Sequence, residues 1–172
     1  MGIQARNPHE EDEENGLTAS GEPIDEAYDG GVQPATLTDI DHIAIVVEDL
    51  AEAIAHHRDL FGVLVSDREE LHGEGAEVAF LEVGGSTIAL IAPLNDDSEY
   101  AEFLAEGGPG LHHVAYRVDD LVAALAQLAD VGAELIDDEP QPGPRESKVA
   151  FVHPDSASGV LVQLVERSAP SA

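Results

Sequence analysis

Residues 41–59 read DHIAIVVEDLAEAIAHHRD, and residues 112–130 read HHVAYRVDDLVAALAQLAD. At an offset of 71 positions His42 meets His113, Asp49 meets Asp120, Leu50 meets Leu121, Ala53 meets Ala124 and Asp59 meets Asp130. At the same offset Val78-Ala79-Phe80 falls on Val149-Ala150-Phe151. A chain that contains itself twice is tightly constrained, because each copy must bury its apolar face against the other. If the copies pack about a pseudo-twofold axis, equivalent positions converge. The equivalent histidines then meet, and paired histidines are the raw material of a metal site.

The elements follow from local pattern. Residues 40–47 are short and β-branched, which predicts a strand. Asp49 offers an N-cap, with Glu52 three residues on as a capping box. Leu50, Ile54, His57 and Phe61 recur at helical spacing, so a helix runs to about Leu60, and Gly62 ends it. Strands are expected over 63–70, 76–83 and 86–92, the last two joined at Gly84-Gly85. A short helix is expected over 98–105. The second copy predicts a strand over 111–118, a helix over 120–131, and strands near 133–138, 147–153 and 159–166, with a Pro/Gly-rich loop over 138–147. The expected fold is α+β: two tandem βαβββ modules pairing into curved sheets around a central cavity, helices outside. Residues 1–37 carry nine acids and one arginine without an amphipathic period, and read as a disordered acidic tail. The domain is expected over 38–168, with module one at 38–93, a linker at 94–110 and module two at 111–168; 169–172 is a short tail.

Charge limits the partners. With 36 acids against seven basic residues and a net charge of −29, the chain repels phosphate backbones, so no nucleic-acid partner is expected. So acidic a surface suits a salt-rich cytoplasm, where counterions screen self-repulsion, and a halophilic protein is expected. There is no cysteine, and therefore no disulfide or thiol chemistry. The start of the chain is polar and unlike a signal peptide. No apolar run approaches the ~20 residues that span a bilayer. The expectation is a cytoplasmic protein with no membrane partner.

Strand alternation puts His42, Ala44 and Val46 on one face, and His113, Ala115 and Arg117 on the equivalent one. Their opposite faces are fully apolar and should pack on the helices, so the histidine faces should line the cavity. Aligning 88–91 with 162–165 sets Ala89 against Gln163, which gives four equivalent positions: 42, 89, 113 and 163.

The segments DHIAIVVEDLAEAI, IAPLNDDS, GLHHVAYRVDD, LIDDEPQPG, VAFVHP and SGVLVQLVE resemble methylmalonyl-CoA epimerase. That family belongs to the vicinal oxygen chelate superfamily, with glyoxalase and extradiol dioxygenases. The resemblance spans residues 39–166 and implies the same paired βαβββ fold. It implies a metal shell at positions 42, 89, 113 and 163, of which His42 and His113 match. Ala89 has no donor atom, and Gln163 offers a carbonyl oxygen without charge or basicity. The implied ligand set is therefore His42, His113 and Gln163 around a divalent ion (Co²⁺, Zn²⁺ or Mn²⁺), with water at Ala89.

The implied reaction is epimerisation of an acyl-CoA. The acidic proton beside the thioester is removed and returned on the other face, with the metal stabilising the enolate. Gln163 stands where the family has a glutamate base, and Val78 where some members have another. Glu82, of the same strand parity as Val78, is the alternative base; Glu77 lies on the opposite face. Arg145 and Lys148 flank the Pro/Gly loop, which by resemblance lies near the mouth of the acyl-CoA site, and are the expected phosphate partners. Arg117 is placed to hold a substrate carboxylate or pair with a nearby acid. His112, adjacent to His113, should point away from the cavity and serve in capping or packing. A homodimer is expected from the superfamily. Two further readings remain: another metal-dependent lyase or isomerase of the superfamily, and a non-catalytic small-molecule-binding paralogue. A 2-His-1-carboxylate oxygenase is disfavoured, since neither 89 nor 163 is a carboxylate.

Overall fold

The computed structural model describes residues 35–168; residues 1–34 of the tail expected at 1–37, and the tail at 169–172, lie outside the described residues, while Ala35 packs against the module-two core. Module one comprises β1 (Asp39–Val46), α1 (Leu50–Phe61), β2 (Val65–Leu71), β3 (Ala76–Val83) and β4 (Ser86–Pro93). The connecting segment carries α2 (Glu99–Gly107). Module two comprises β5 (Gly110–Arg117), α3 (Leu121–Asp130), β6 (Gln141–Pro142), β7 (Lys148–Val152) and β8 (Val162–Glu166). Among the described residues, no helix is long and apolar enough to cross a membrane.

All eight strands form one curled sheet in the order β2-β3-β4-β1-β5-β8-β7-β6. The order is symmetric about the antiparallel β1–β5 pair, with parallel β1–β4 on one side and parallel β5–β8 on the other. The two curved sheets are thus joined edge to edge. In register, Ala44 pairs with His113 and His42 with Ala115. The 71-residue offset maps one pair onto the other, which is the pseudo-twofold relation. Likewise Ala44 pairs with Ala89, and Ala115 with Gln163.

Each helix forms where its cap allows. The Asp49 carboxylate accepts from the Glu52 backbone N–H at 2.9 Å, and Asp120 accepts from that of Ala123 at 2.9 Å. Gly62 closes α1 in the left-handed region, where a side chain would be strained. Leu50 and Ala53 of α1 pack on Ala79, Leu81, Leu90 and Ala92. Leu121, Ala124 and Leu125 of α3 pack on Ala150, Val152 and Leu164. α1 and α3 therefore cover one face of the sheet. On the other face Ala44, Val78, Phe80, Ala89 and Ile91 pack with Tyr100 of α2.

The strand expected near 133–138 is reduced to a single bridge between Leu135 and Val152. The Asp137 carboxylate accepts the Phe151 backbone N–H at 2.8 Å, taking the place of a ladder carbonyl. The edge strand forms later, at Gln141–Pro142. Pro140 and Pro142 lack the N–H a longer strand needs, so it stays at two residues.

Candidate functional site

The site is built on two bulges. Along β1–β5 the register passes from Ile40↔Tyr116 to His42↔Ala115, leaving Asp41 unpaired. It then passes from Ala44↔His113 to Ile45↔Leu111, leaving His112 unpaired. A bulged residue breaks the alternation of faces and re-aims its side chain. Asp41 and His112 are equivalent in the repeat, and each supports the histidine that follows it. Asp41 Oδ2 lies 2.7 Å from His42 Nδ1, and His112 Nδ1 lies 2.8 Å from His113 Nδ1. The two Nε2 atoms face each other at 3.3 Å. His112 also packs on Tyr100 and Phe103, with ring centroids 5.1 Å apart in each case. The expectation that it packs is met, but it does not turn away from its neighbour, because the bulge breaks strand parity.

Asp41 is fully buried at its side chain and pairs with two arginines. Arg167 donates through Nε and Nη2 at 2.7 and 2.8 Å; Arg117 does so at 3.2 and 3.0 Å. Burial alone pushes the Asp41 carboxyl up, but His42, Arg167 and Arg117 together outweigh it and hold the group well below the usual carboxylate range. His113 is shifted well below the ordinary imidazole value, first by burial and then by repulsion from His42 and His112, against a hydrogen bond from Gln163. It is neutral at pH 7, as a metal ligand must be.

The donors present fit a divalent ion as a partial shell. Two imidazole nitrogens about 2.0–2.1 Å from one ion stand about 2.9–3.4 Å apart for angles between right and tetrahedral, and the Nε2 atoms are 3.3 Å apart. Loading requires both Nε2 lone pairs. His42 then donates Nδ1–H to Asp41, and His113 donates Nδ1–H to His112, so both second partners are already in place. Without an ion the same atoms form a relay, His112 Nδ1–H to His113, His113 Nε2–H to His42, and His42 Nδ1–H to Asp41. Gln163, buried, lines the same small cavity, as do Val78 and Ala89. Among the described residues, the one set of three His, Asp or Glu side chains with ligand atoms within 4.8 Å of each other lies elsewhere, at Glu134, His153 and Asp155. There the His153 Nδ1 lone pair already accepts the Asp155 backbone N–H at 3.1 Å.

The remaining sequence-derived residues are dispersed. Glu82 has the parity of Val78 but lies one step beyond Phe80, outside the histidine cavity. Its carboxylate accepts from Ser66 at 3.3 Å and Thr87 at 3.0 Å. Glu77 pairs with Arg68 at 3.2 Å. Arg145 does cross to module one, with its guanidinium 5.0 Å above the Phe80 ring. Lys148 does not join it. Lys148 shares parity with Ala150 and Val152, which face α3, and its ammonium lies 4.0 Å from Glu166.

The acid that does line the histidine cavity is Glu74, in the β2–β3 turn. Tyr100 donates its hydroxyl to Glu74 Oε2 at 3.0 Å. Nothing in the repeat or in strand parity marks Glu74; its composition as one acid among 36 hides it. It also lines the adjoining cleft of about 710 Å³, with Asp97, Glu99 and Asp137. In that cleft burial, then Glu74 and other nearby acids, push the Glu99 carboxyl up.

Residues 41–151 match the model of the Glyoxalase/Bleomycin resistance protein/Dioxygenase superfamily. The chain is 35% identical over 127 residues to the ethylmalonyl-CoA/methylmalonyl-CoA epimerase of Cereibacter sphaeroides, covering 73% of this chain and 95% of that one. Among solved structures it is similar to Mycobacterium tuberculosis methylmalonyl-CoA epimerase, at 35% identity and TM-score 0.75 over 81% of this chain and 95% of that one. It is likewise similar to a single-residue variant of Streptomyces coelicolor methylmalonyl-CoA epimerase in complex with 2-nitronate-propionyl-CoA, at 34% identity and TM-score 0.75 over 80% and 99%. With its symmetric eight-stranded sheet and its bulge-borne histidine pair, the chain belongs to the glyoxalase/bleomycin resistance protein/dioxygenase (vicinal oxygen chelate) superfamily, as a methylmalonyl-CoA epimerase-like member.

Proposed function

We propose that this chain is an acyl-CoA isomerase, interconverting epimers of a 2-substituted malonyl-type thioester by α-proton transfer. The observation that carries the reading is the pair of buried Nε2 atoms 3.3 Å apart, each histidine backed by the residue before it. His42, His113 and Gln163 are the residues that would hold a divalent ion, with Co²⁺, Zn²⁺ and Mn²⁺ all compatible with two imidazoles and an amide oxygen. Such an ion, when bound, supplies Lewis-acid polarisation of a carbonyl oxygen. Asp41 fixes the His42 tautomer by accepting from Nδ1, and His112 fixes that of His113 through a neutral bond. Gln163 orients and cannot take a proton. Glu74 is the proton acceptor in this reading, since it is the carboxylate lining the cavity, and Tyr100 fixes one of its oxygens. With one carboxylate there, the proton on the opposite face comes from water, and the proton on Glu74 returns to the hydroxide so formed. The protein is further proposed to act in the cytoplasm as a homodimer, which light scattering tests directly.

One observation favours a second reading. The strand residues lining the histidine cavity, Val78, Ala89 and Gln163 among them, include no carboxylate. A binding protein that kept the cavity without the chemistry has that arrangement.

The test is metal content after equilibration with Co²⁺, followed by methylmalonyl-CoA in D₂O watched by NMR at C2. About one ion per chain, absent from a His42→Ala/His113→Ala variant, together with C2 deuteration that Glu74→Gln suppresses, supports the isomerase. Ion uptake without C2 exchange sinks turnover and leaves the binding reading. Absence of both removes the metal site as well.

A further inference from the structure

Although the chain has only seven basic residues, three of its arginines line one cavity. Arg117, Arg145 and Arg167 surround about 210 Å³ beside Asp39, Asp41 and Glu82. The acids there are largely occupied. Asp41 is buried and shares its oxygens among His42, Arg117 and Arg167. Glu82 accepts from two hydroxyls. The guanidinium groups are not occupied to the same degree. Arg117 and Arg167 each use Nε and Nη2 on Asp41, and their remaining N–H groups make no hydrogen bond to a described residue. The Arg145 side chain makes none at all among the described residues; its nearest carboxylates are Glu82 at 3.7 Å and Asp67 at 4.0 Å. Arg145 and Glu146 both sit at φ 57°, in the left-handed region that non-glycine residues avoid. That turn carries the Arg145 guanidinium out of module two and onto Phe80 of β3.

We propose that this cavity is an oxyanion-binding site, taking a phosphate or carboxylate group through forked guanidinium N–H donors. Arginine is the residue suited to such recognition, because its planar fork matches two oxygens at once. A chain of net charge −29 attracts no anion by its bulk field, so binding here depends on local geometry. The proposal goes beyond the isomerase reading and does not depend on turnover.

The test titrates inorganic phosphate, CoA and dephospho-CoA into wild type, Arg145→Gln and Arg68→Gln at constant ionic strength, by calorimetry. Arg145 is the informative position because it holds no part of the Asp41 bond. Phosphate should bind wild type with a Kd of ~1 mM, at least tenfold more weakly to Arg145→Gln, and unchanged to Arg68→Gln. The melting temperature of Arg145→Gln should match wild type. CoA binding more tightly than phosphate, with the gain lost in dephospho-CoA, makes the oxyanion a phosphate of the nucleotide; equal binding makes it free phosphate. Both results support the site. Undetectable phosphate binding, or equal weakening by Arg145→Gln and Arg68→Gln, overturns it. Failure here with intact C2 exchange leaves the isomerase reading standing, and the converse leaves this site standing.

Discussion

The two modules give their central histidines different support from equivalent positions. In module one the bulged residue is Asp41, an anion held by two arginines. In module two it is His112, a neutral ring held by aromatic packing on α2. The sheet and its register are nearly symmetric, so the difference lies in the side chains and in α2, which sits in the connecting segment outside the repeat. One histidine has a buried anion behind it; the other is kept neutral by burial. A duplicated scaffold can thus hold position fixed while each half surrounds its own histidine differently.

Asp41→Asn attacks the stronger half and should have the largest effect. It leaves Arg117 and Arg167 without their buried partner, at a cost of about 3 kcal/mol, the low end for breaking a buried pair because both guanidinium groups reach water. Metal affinity should fall about 10- to 100-fold. Chemical denaturation and Co²⁺ titration measure the two. An Asp41→Asn protein with wild-type affinity would mean that the anion does not tune His42.

Gln163→Glu restores a charge on the module-two side. Without metal it buries a carboxylate beside a neutral histidine and should cost about 2 kcal/mol. With Co²⁺ the sign should reverse, and affinity should rise. A variant that is destabilised equally with and without metal would show that position 163 lies outside the shell.

How much of this the sequence carries depends on the range of the interaction. Capped helices, the order of elements along each module and the equivalence of Ala89 with Gln163 are local or periodic, and they are legible in the repeat. The convergence of His42 with His113 follows from symmetry. The bulges are not legible, because alternation assumes one residue per pleat; that assumption turned His112 outward and left Asp41 unremarked. Arg167 is 126 residues from Asp41, with nothing in its own segment to mark it. Glu82 shows the limit of parity, which gives a face but not a distance along it. Lys148 shows the same for sequence proximity: three residues from Arg145, it lies on the opposite face. At 133–138, side-chain competition from Asp137 overrode a strand pattern.

Acid separates the modules by pH. His112 and His113 are both held below the ordinary imidazole value of 6.5, mainly by burial. The unfolded chain therefore binds more protons than the folded one below about pH 6.5. Stability of the metal-free protein should be full above that pH and should fall as acid approaches the folded-state values, by about 1.4 kcal/mol per pH unit for each extra proton. Asp41 is depressed from 3.8, so its contribution is present above about pH 4 and is lost only below it. Denaturant titrations from pH 7.5 to 3 at fixed ionic strength should show stability falling below pH 6.5, before the Asp41 contribution is lost. A flat profile down to pH 4 would remove the asymmetry.

The smallest effect is expected from His112→Phe, which isolates the weaker support. Phenylalanine keeps an aromatic ring against Tyr100 and Phe103 and removes only the Nδ1 bond to His113. Loss of a neutral hydrogen bond costs about 1 kcal/mol. Metal affinity should drop by less than that of Asp41→Asn, because no charge behind the ligand is lost. The variant also has one fewer depressed imidazole, so the metal-free protein should shed one proton's worth of acid sensitivity below pH 6.5. If His112→Phe instead matched Asp41→Asn in metal affinity, the bulged residue's position rather than its charge would be what supports the histidine, and the two modules would be chemically equivalent after all.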